Sequence, residues 1–234
     1  MSNNFFNDAA LRQANNSITR KFITAVYGWM VAALAMSGIA SFWVLHSRTM
    51  LSFIFGNRFG FLALCIVEVV LVSVLMTSVR TMSFATALGV FVAYSVLNGV
   101  TLSSIFLAYA SASVVRIFII AALMFAAMSV YGMTTKSDLR SAGRYFMMAI
   151  IGIVIASFVN ILFRSSSLDW LISFVSVGVF TGLTAYDSQK ILQISAYAQE
   201  NEQYKKMALI GALELYLDFV NLFLSLLRLF GKRR

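Results

Sequence analysis

Apolar residues fill seven long stretches of the chain, 22–45, 61–79, 82–109, 114–133, 145–163, 170–194 and 207–230. Polar residues collect between them, in "HSRTM" with "GNRFG", "RTMS", "ASAS" before Arg116, "TKSDLRSAGR", "RSSSLD" and "SAYAQENEQYKK". A helix rises about 1.5 Å per residue and the hydrocarbon of a bilayer is about 30 Å thick, so a span needs about 20 apolar residues. The pattern therefore predicts an all-α membrane protein, a bundle of seven transmembrane helices. The connections are short, so successive helices are expected to be antiparallel neighbours. The chain divides into a polar N-terminal tail (1–21), a membrane domain (22–230) and a basic C-terminal tail (231–234). "VYGW" at 26–29 and "VYGM" at 130–133 hint at a duplicated three-helix unit.

Composition agrees with this class. Of 234 residues, 60% are hydrophobic and 12% are charged, about half the charged fraction of an ordinary soluble domain. Proline is absent, so breaks must use glycine or polar side chains. The net charge of +9 does not imply nucleic acid, because the basic residues lie mostly between apolar runs, where headgroups and the positive-inside rule place them. Cys65 has no second cysteine to pair with and reads as a packing thiol. His46 reads as a solvated loop residue. A bacterial plasma (inner) membrane is the expected location.

Charge orients the bundle only in part. With the N-terminus cytoplasmic, that side carries Arg12, Arg20, Lys21, Arg80, Lys136, Arg140, Arg144, Lys190, Lys205 and Lys206. The opposite loops carry Arg48, Arg58, Arg116 and Arg164. This favours a cytoplasmic N-terminus. Seven spans would put Arg228, Lys232, Arg233 and Arg234 outside, whereas a last segment that dips in and returns would keep them inside. The charges leave both open.

The candidate chemistry lies in the polar residues inside the spans. Glu68 falls near the middle of the second run, Arg80 ends that run, Asp187 lies in the sixth, and Glu214 and Asp218 lie in the seventh. A carboxylate at such depth costs about 2.5–3.5 kcal/mol on insertion scales, so it must pair, protonate or face water. If the sixth helix ends near 195 and the seventh starts near 208, Asp187 is about 12 Å and Asp218 about 15 Å below the turn. The two carboxyls then share a level. They can share a proton or a cation, and two such groups titrate as a unit. Their oxygens suit a hard cation such as calcium. Gly211, Glu214, Asp218, Asn221 and Ser225 recur every three or four residues, a polar stripe that should face the bundle centre. Gly178 and Gly182 have the GxxxG spacing that allows close helix approach. "NGVTLSS" (98–104), Ser157 and Asn160 either join helices or line a wet path. Arg80 ends on the same side as the sixth helix, and its long side chain can reach Asp187 and hold the site shut.

"GLTAYDSQKI", "GALELYLDFVNLFLSLLRLFG" and "GVTLSSIF" resemble the signature segments of the Bax inhibitor family, the transmembrane Bax-inhibitor-motif proteins, and most of all its proteobacterial inner-membrane branch. The resemblance spans about residues 20–232. It implies a seven-helix bundle with the last helix at its centre, surrounded by the other six. It also implies a pH-sensitive calcium leak channel, with Asp187 and Asp218 as the pH-sensing dyad, Arg80 as a latch on the first aspartate, and Glu68 within the second helix. Two departures stand out. The Glu68-to-Arg80 spacing is one residue longer than in the bacterial channel it is most like, and Glu214 occupies a position where relatives carry a small or neutral residue. An extra acid there would strengthen cation binding or make the dyad harder to ionise.

Other functions fit less well. An intramembrane aspartyl protease would need a Gly-x-Gly-Asp run and a proline-containing loop, and Asp218 follows "LYL" in a chain without proline. A retinal protein would need a lysine within the last helix, which has none after Lys206 at its edge. The chain is therefore expected to be no enzyme and to hold no tight cofactor, with calcium or protons as what it moves and the lipid bilayer as its surroundings. The alternative is a non-channel regulator that binds a partner membrane protein such as a membrane protease, with the aspartates only stabilising its bundle.

Overall fold

A computed structural model of the chain describes residues 2–56, 58–79, 81–196 and 201–234, with the side chains from Ser17 onward apart from those of Phe53 and Arg58. Its helices are α1 (Ser2–His46), α2 (Arg48–Phe55), α3 (Arg58–Ser78), α4 (Phe84–Ala108), α5 (Ser111–Thr134), α6 (Arg140–Phe163), α7 (Ser166–Ser195) and α8 (Glu202–Phe230). Seven of them, α1 and α3 to α8, are long and apolar enough to cross a membrane. They match the seven apolar runs to within a few residues, apart from the polar extensions of α1 and α8.

Two local features differ from the sequence reading. Residues 2–21 of the polar segment are helical and run on into the first span as α1, since no glycine or proline interrupts the chain before Gly28. The break after His46 contains the short helix α2, started by Ser47, whose hydroxyl accepts from the Met50 amide at 3.3 Å. Eight residues are too few to span, so this helix left no mark in the pattern of long runs.

α8 is the centre of the bundle. It packs against α1, α4, α5 and α7, and buries fifteen residues between Ala208 and Leu227. Among the described residues, α3 packs mainly on α4 and α2, and α6 mainly on α7. Four helices, not six, therefore surround the core helix, and α3 and α6 flank its remaining side. Positions Ile210, Glu214, Leu217, Asn221 and Leu224 of α8 are only partly buried, at alternating spacings of four and three. That is one narrow helical stripe left unpacked.

α8 is one unbroken helix, so the chain crosses and does not return. It begins at Glu202, six residues before the expected 208, because Asn201 caps it, accepting from the Tyr204 amide at 2.8 Å. Glu202 accepts from the Phe84 amide (2.9 Å) and Lys206 donates to the Met82 carbonyl (3.1 Å), which ties this end to the start of α4. At the far end, the Ala110 amide donates to the Lys232 carbonyl and the Arg234 amide to Ala108, both at 3.0 Å. Arg233 also lies 4.0 Å from Asp169 at the start of α7. The C-terminal tail is thus fixed on the face opposite the α7–α8 turn. A last segment that dips in and returns is excluded.

Two glycines set helix spacing. A Cβ on Gly99 would collide with the backbone of Ser37 in α1, and one on Gly132 with the carbonyl of Ala185 in α7. Gly28 and Gly178 have open space around them, whereas a Cβ on Gly182 would come within 2.6 Å of the Phe146 ring of α6. Only the second glycine of the GxxxG pair makes a contact, and the two "VYG" glycines do different jobs. Gly132→Val should therefore lower the thermal unfolding midpoint in detergent, by overpacking worth about 1–3 kcal/mol. Gly28→Ala should leave it unchanged or raise it.

Candidate functional site

The segment Tyr186–Lys190 of α7 turns each side chain toward a different neighbour. Tyr186 packs edge-on to Phe146 and against Gly143, both of α6. Ser188 shares a 3.0 Å hydrogen bond with Tyr27 of α1. Gln189 accepts from the Leu139 amide and donates to the Ser137 carbonyl, both at 2.8 Å, which clamps the α5–α6 loop. Asp187 faces Asp218 of α8. Lys190 donates to Glu214 Oε1 at 2.6 Å and lies 3.9 Å from Asp187 Oδ1.

Asp187 and Asp218 are therefore neighbours across the α7–α8 contact. Asp187 is 8% exposed and Asp218 5%. Asp218 Oδ2 is buried with no hydrogen-bond partner among the described residues, although such orphaned oxygens are costly. Together with Lys190 and Glu214, these groups make a compact set of three acids and one base. Among the described residues, no three carboxyl, imidazole or thiol groups converge closely enough to hold a metal ion.

Beside the dyad runs a crevice of about 670 Å³. Its α8 wall is Glu214, Leu217, Asp218, Asn221, Leu224, Ser225 and Arg228, with Met147, Ser157 and Phe158 of α6 opposite and Met76 of α3 at one edge. Four members of the predicted stripe line it, and Gly211 lines a neighbouring cavity. The acids occupy one end of this wall and Arg228 the other, fourteen residues and about 21 Å along the helix. The α6 helix buries none of its residues. The crevice is therefore bounded on that side by a helix attached mainly through α7.

Glu68 belongs to a different network. It accepts from Thr101 and, at 3.4 Å, from Asn98. Asn98 accepts from the Tyr216 hydroxyl (2.8 Å), which meets Ser37 (2.7 Å), and Ser37 donates to the Ser95 carbonyl (2.7 Å). This chain joins α3, α4, α8 and α1. In the polar run 98–104, Asn98 and Thr101 thus join helices, while the Ser103 and Ser104 hydroxyls bond back within α4. Ser157 lines the crevice, and Asn160 accepts from the Ser165 amide at the α6–α7 turn. Arg80 lies outside the described residues. Sequence reasoning missed Lys190 as a partner of the acids and Gln189 as a loop clamp. The signal for Lys190 was its position one turn beyond Asp187, and Gln189 sits within the Tyr-Asp-x-Gln motif.

Residues 19–234 match the family described as "Inhibitor of apoptosis-promoting Bax1". The chain belongs to the Bax inhibitor family. It is 42% identical to the inner membrane protein YbhL of Escherichia coli over 215 residues, 91% of this chain and 92% of that one. It is 44% identical to an uncharacterized protein of Borreliella burgdorferi over 93% and 94% of the two chains. With a Rickettsia prowazekii protein the identity is 37%, over 92% and 91%. It is a multi-pass membrane protein of this family. The four-helix network predicts that Tyr216→Phe, which deletes the hydroxyl joining Ser37 to Asn98 in the buried core, costs about 1–3 kcal/mol. The thermal midpoint should fall, while the crevice acids remain paired.

Proposed function

We propose that the protein is a pH-sensitive cation leak channel of the bacterial inner membrane, with calcium as a permeant ion and Asp187 and Asp218 as its sensor. The observation that carries this reading is the dyad itself. Two carboxyls meet in the middle of the bundle, one oxygen of Asp218 has no partner among the described residues, and a crevice lies alongside, largely apolar but with a polar wall on α8. Two such carboxyls cannot both ionise cheaply, so the proton they hold in common answers to pH. Losing that proton adds a negative charge to the crevice wall and raises its attraction for a cation. Glu214 adds a third acid one turn away, and Asn221 continues the polar wall. With two or three carboxyls and no closed metal cage among the described residues, a hard cation would keep much of its water, as suits an ion that passes rather than stays. Nothing in this reading calls for bond chemistry, so the protein transports and is no enzyme.

The location follows the relative described as an inner membrane protein. The face of the N-terminus is assigned to the cytoplasm, since it carries Arg20, Lys21, Lys136, Arg140, Arg144, Lys205 and Lys206.

Calcium flux into proteoliposomes tests the reading. Wild-type flux should differ severalfold between about pH 5 and pH 8. Asp187→Asn or Asp218→Asn should abolish the flux or flatten its pH profile in protein that still folds. No flux at any pH from folded wild type would exclude the leak. It would favour the regulator that binds a partner membrane protein, with the dyad as structural glue.

A further inference from the structure

Lys190 stands where three cavities meet. It lines the crevice beside the dyad. It also lines a cavity of about 360 Å³ with Arg140, Tyr186, Gln189, Gln193 and Ile194 at the end of α7. A third, of about 230 Å³, reaches Phe22 of α1, Val79 and Met207, and Glu214 lines both this one and the crevice. The 2.6 Å contact between the Lys190 ammonium and Glu214 is thus part of the wall between the crevice and the cavities toward the α7–α8 turn.

The same ammonium also sits where a cation would be drawn. It lies against two of the three clustered acids, while Asp218 Oδ2 is buried with no partner among the described residues. Its side chain is 38% exposed, against 11% for Asp187 and 18% for Glu214, so it is the most accessible of the three. An alkylammonium on a flexible four-carbon stem can leave such a position without any helix moving.

We propose that Lys190 is a tethered counter-cation that closes the crevice toward the α7–α8 face, and that a permeating cation must displace it from Glu214. This rests on the leak reading for its physiological meaning, but not for its test. A cation that displaces Lys190 gains the carboxyls that the ammonium vacates. A divalent ion gains more than a monovalent one at equal concentration, because its attraction to each carboxylate is twice as large. Lys190 then sets both closure and a preference for divalent cations.

The test is equilibrium binding of Tb3+, a hard oxygen-seeking cation, to purified protein, alongside calcium flux. Lys190→Met should raise Tb3+ affinity about tenfold or more, because it removes a unit charge within 4 Å of the acids. Lys190→Arg, which keeps the charge, should stay near wild type. If Lys190→Met leaves Glu214 unpaired and fails to fold, the comparison moves to a background without that orphan. There, Lys190→Met with Glu214→Gln should bind Tb3+ about tenfold more tightly than Glu214→Gln alone. Both lysine-free variants should leak calcium faster than their lysine-bearing parents. Unchanged or weaker Tb3+ binding in folded lysine-free protein would overturn the proposal, and a lower melting point alone would reduce Lys190 to a helix-joining ion pair. An absence of flux in every variant would defeat the leak reading, leaving binding to decide the role of Lys190.

Discussion

A carboxylate inside hydrocarbon must find a proton, a cation or water, and the cost of failing is several kcal/mol. The arrangement of this bundle follows from that constraint. Glu68, Asp187, Glu214 and Asp218 all lie within membrane-spanning helices. Glu68 is met by neutral donors from α4. Asp187 and Asp218 meet each other, and Glu214 meets Lys190. To bring those partners together, α8 must run through the centre, where it can face α7 on one side and the Tyr216 network on another. Its fully buried leucines, such as Leu213, Leu215 and Leu222, pack the remaining sides.

The same constraint explains why the core helix is not fully enclosed. A helix packed on all sides would strand the acidic stripe away from water. Here α3 and α6 stand off from α8 and leave the crevice between them. Tight contacts at Gly99 and Gly132 hold α1, α4, α5 and α7 together, so the closely packed part of the bundle and its looser flank are distinct. The polar wall lies on the looser side.

Much of this was legible in the chain. The seven spans follow from the lengths of the apolar runs, because hydrocarbon imposes length directly. The stripe Glu214, Asp218, Asn221, Ser225 was visible as helical spacing, and the dyad followed from antiparallel depth even though α8 starts earlier than that estimate assumed. Closeness between helices was not legible. Nothing in the sequence separates Gly132, against the Ala185 carbonyl, from Gly28, in open space. Nor does the sequence separate Glu68 from the dyad, since both are acids at similar depth. Lys190 looked like a loop cation because it lies near the end of a run. Its long stem carries the charge back along the helix to Glu214, a reach that charge counting by segment does not capture.

A leak along the crevice requires that the open stripe of α8 face water inside the membrane domain. Cysteine accessibility tests it most directly, after Cys65 is replaced by serine. Single cysteines at Leu217, Asn221 and Leu224 should react with a membrane-impermeant thiol reagent, and cysteines at Leu213, Leu215 and Leu222 should not. Equal protection at all six positions would mean that the crevice is dry or filled by lipid and offers no path for an ion.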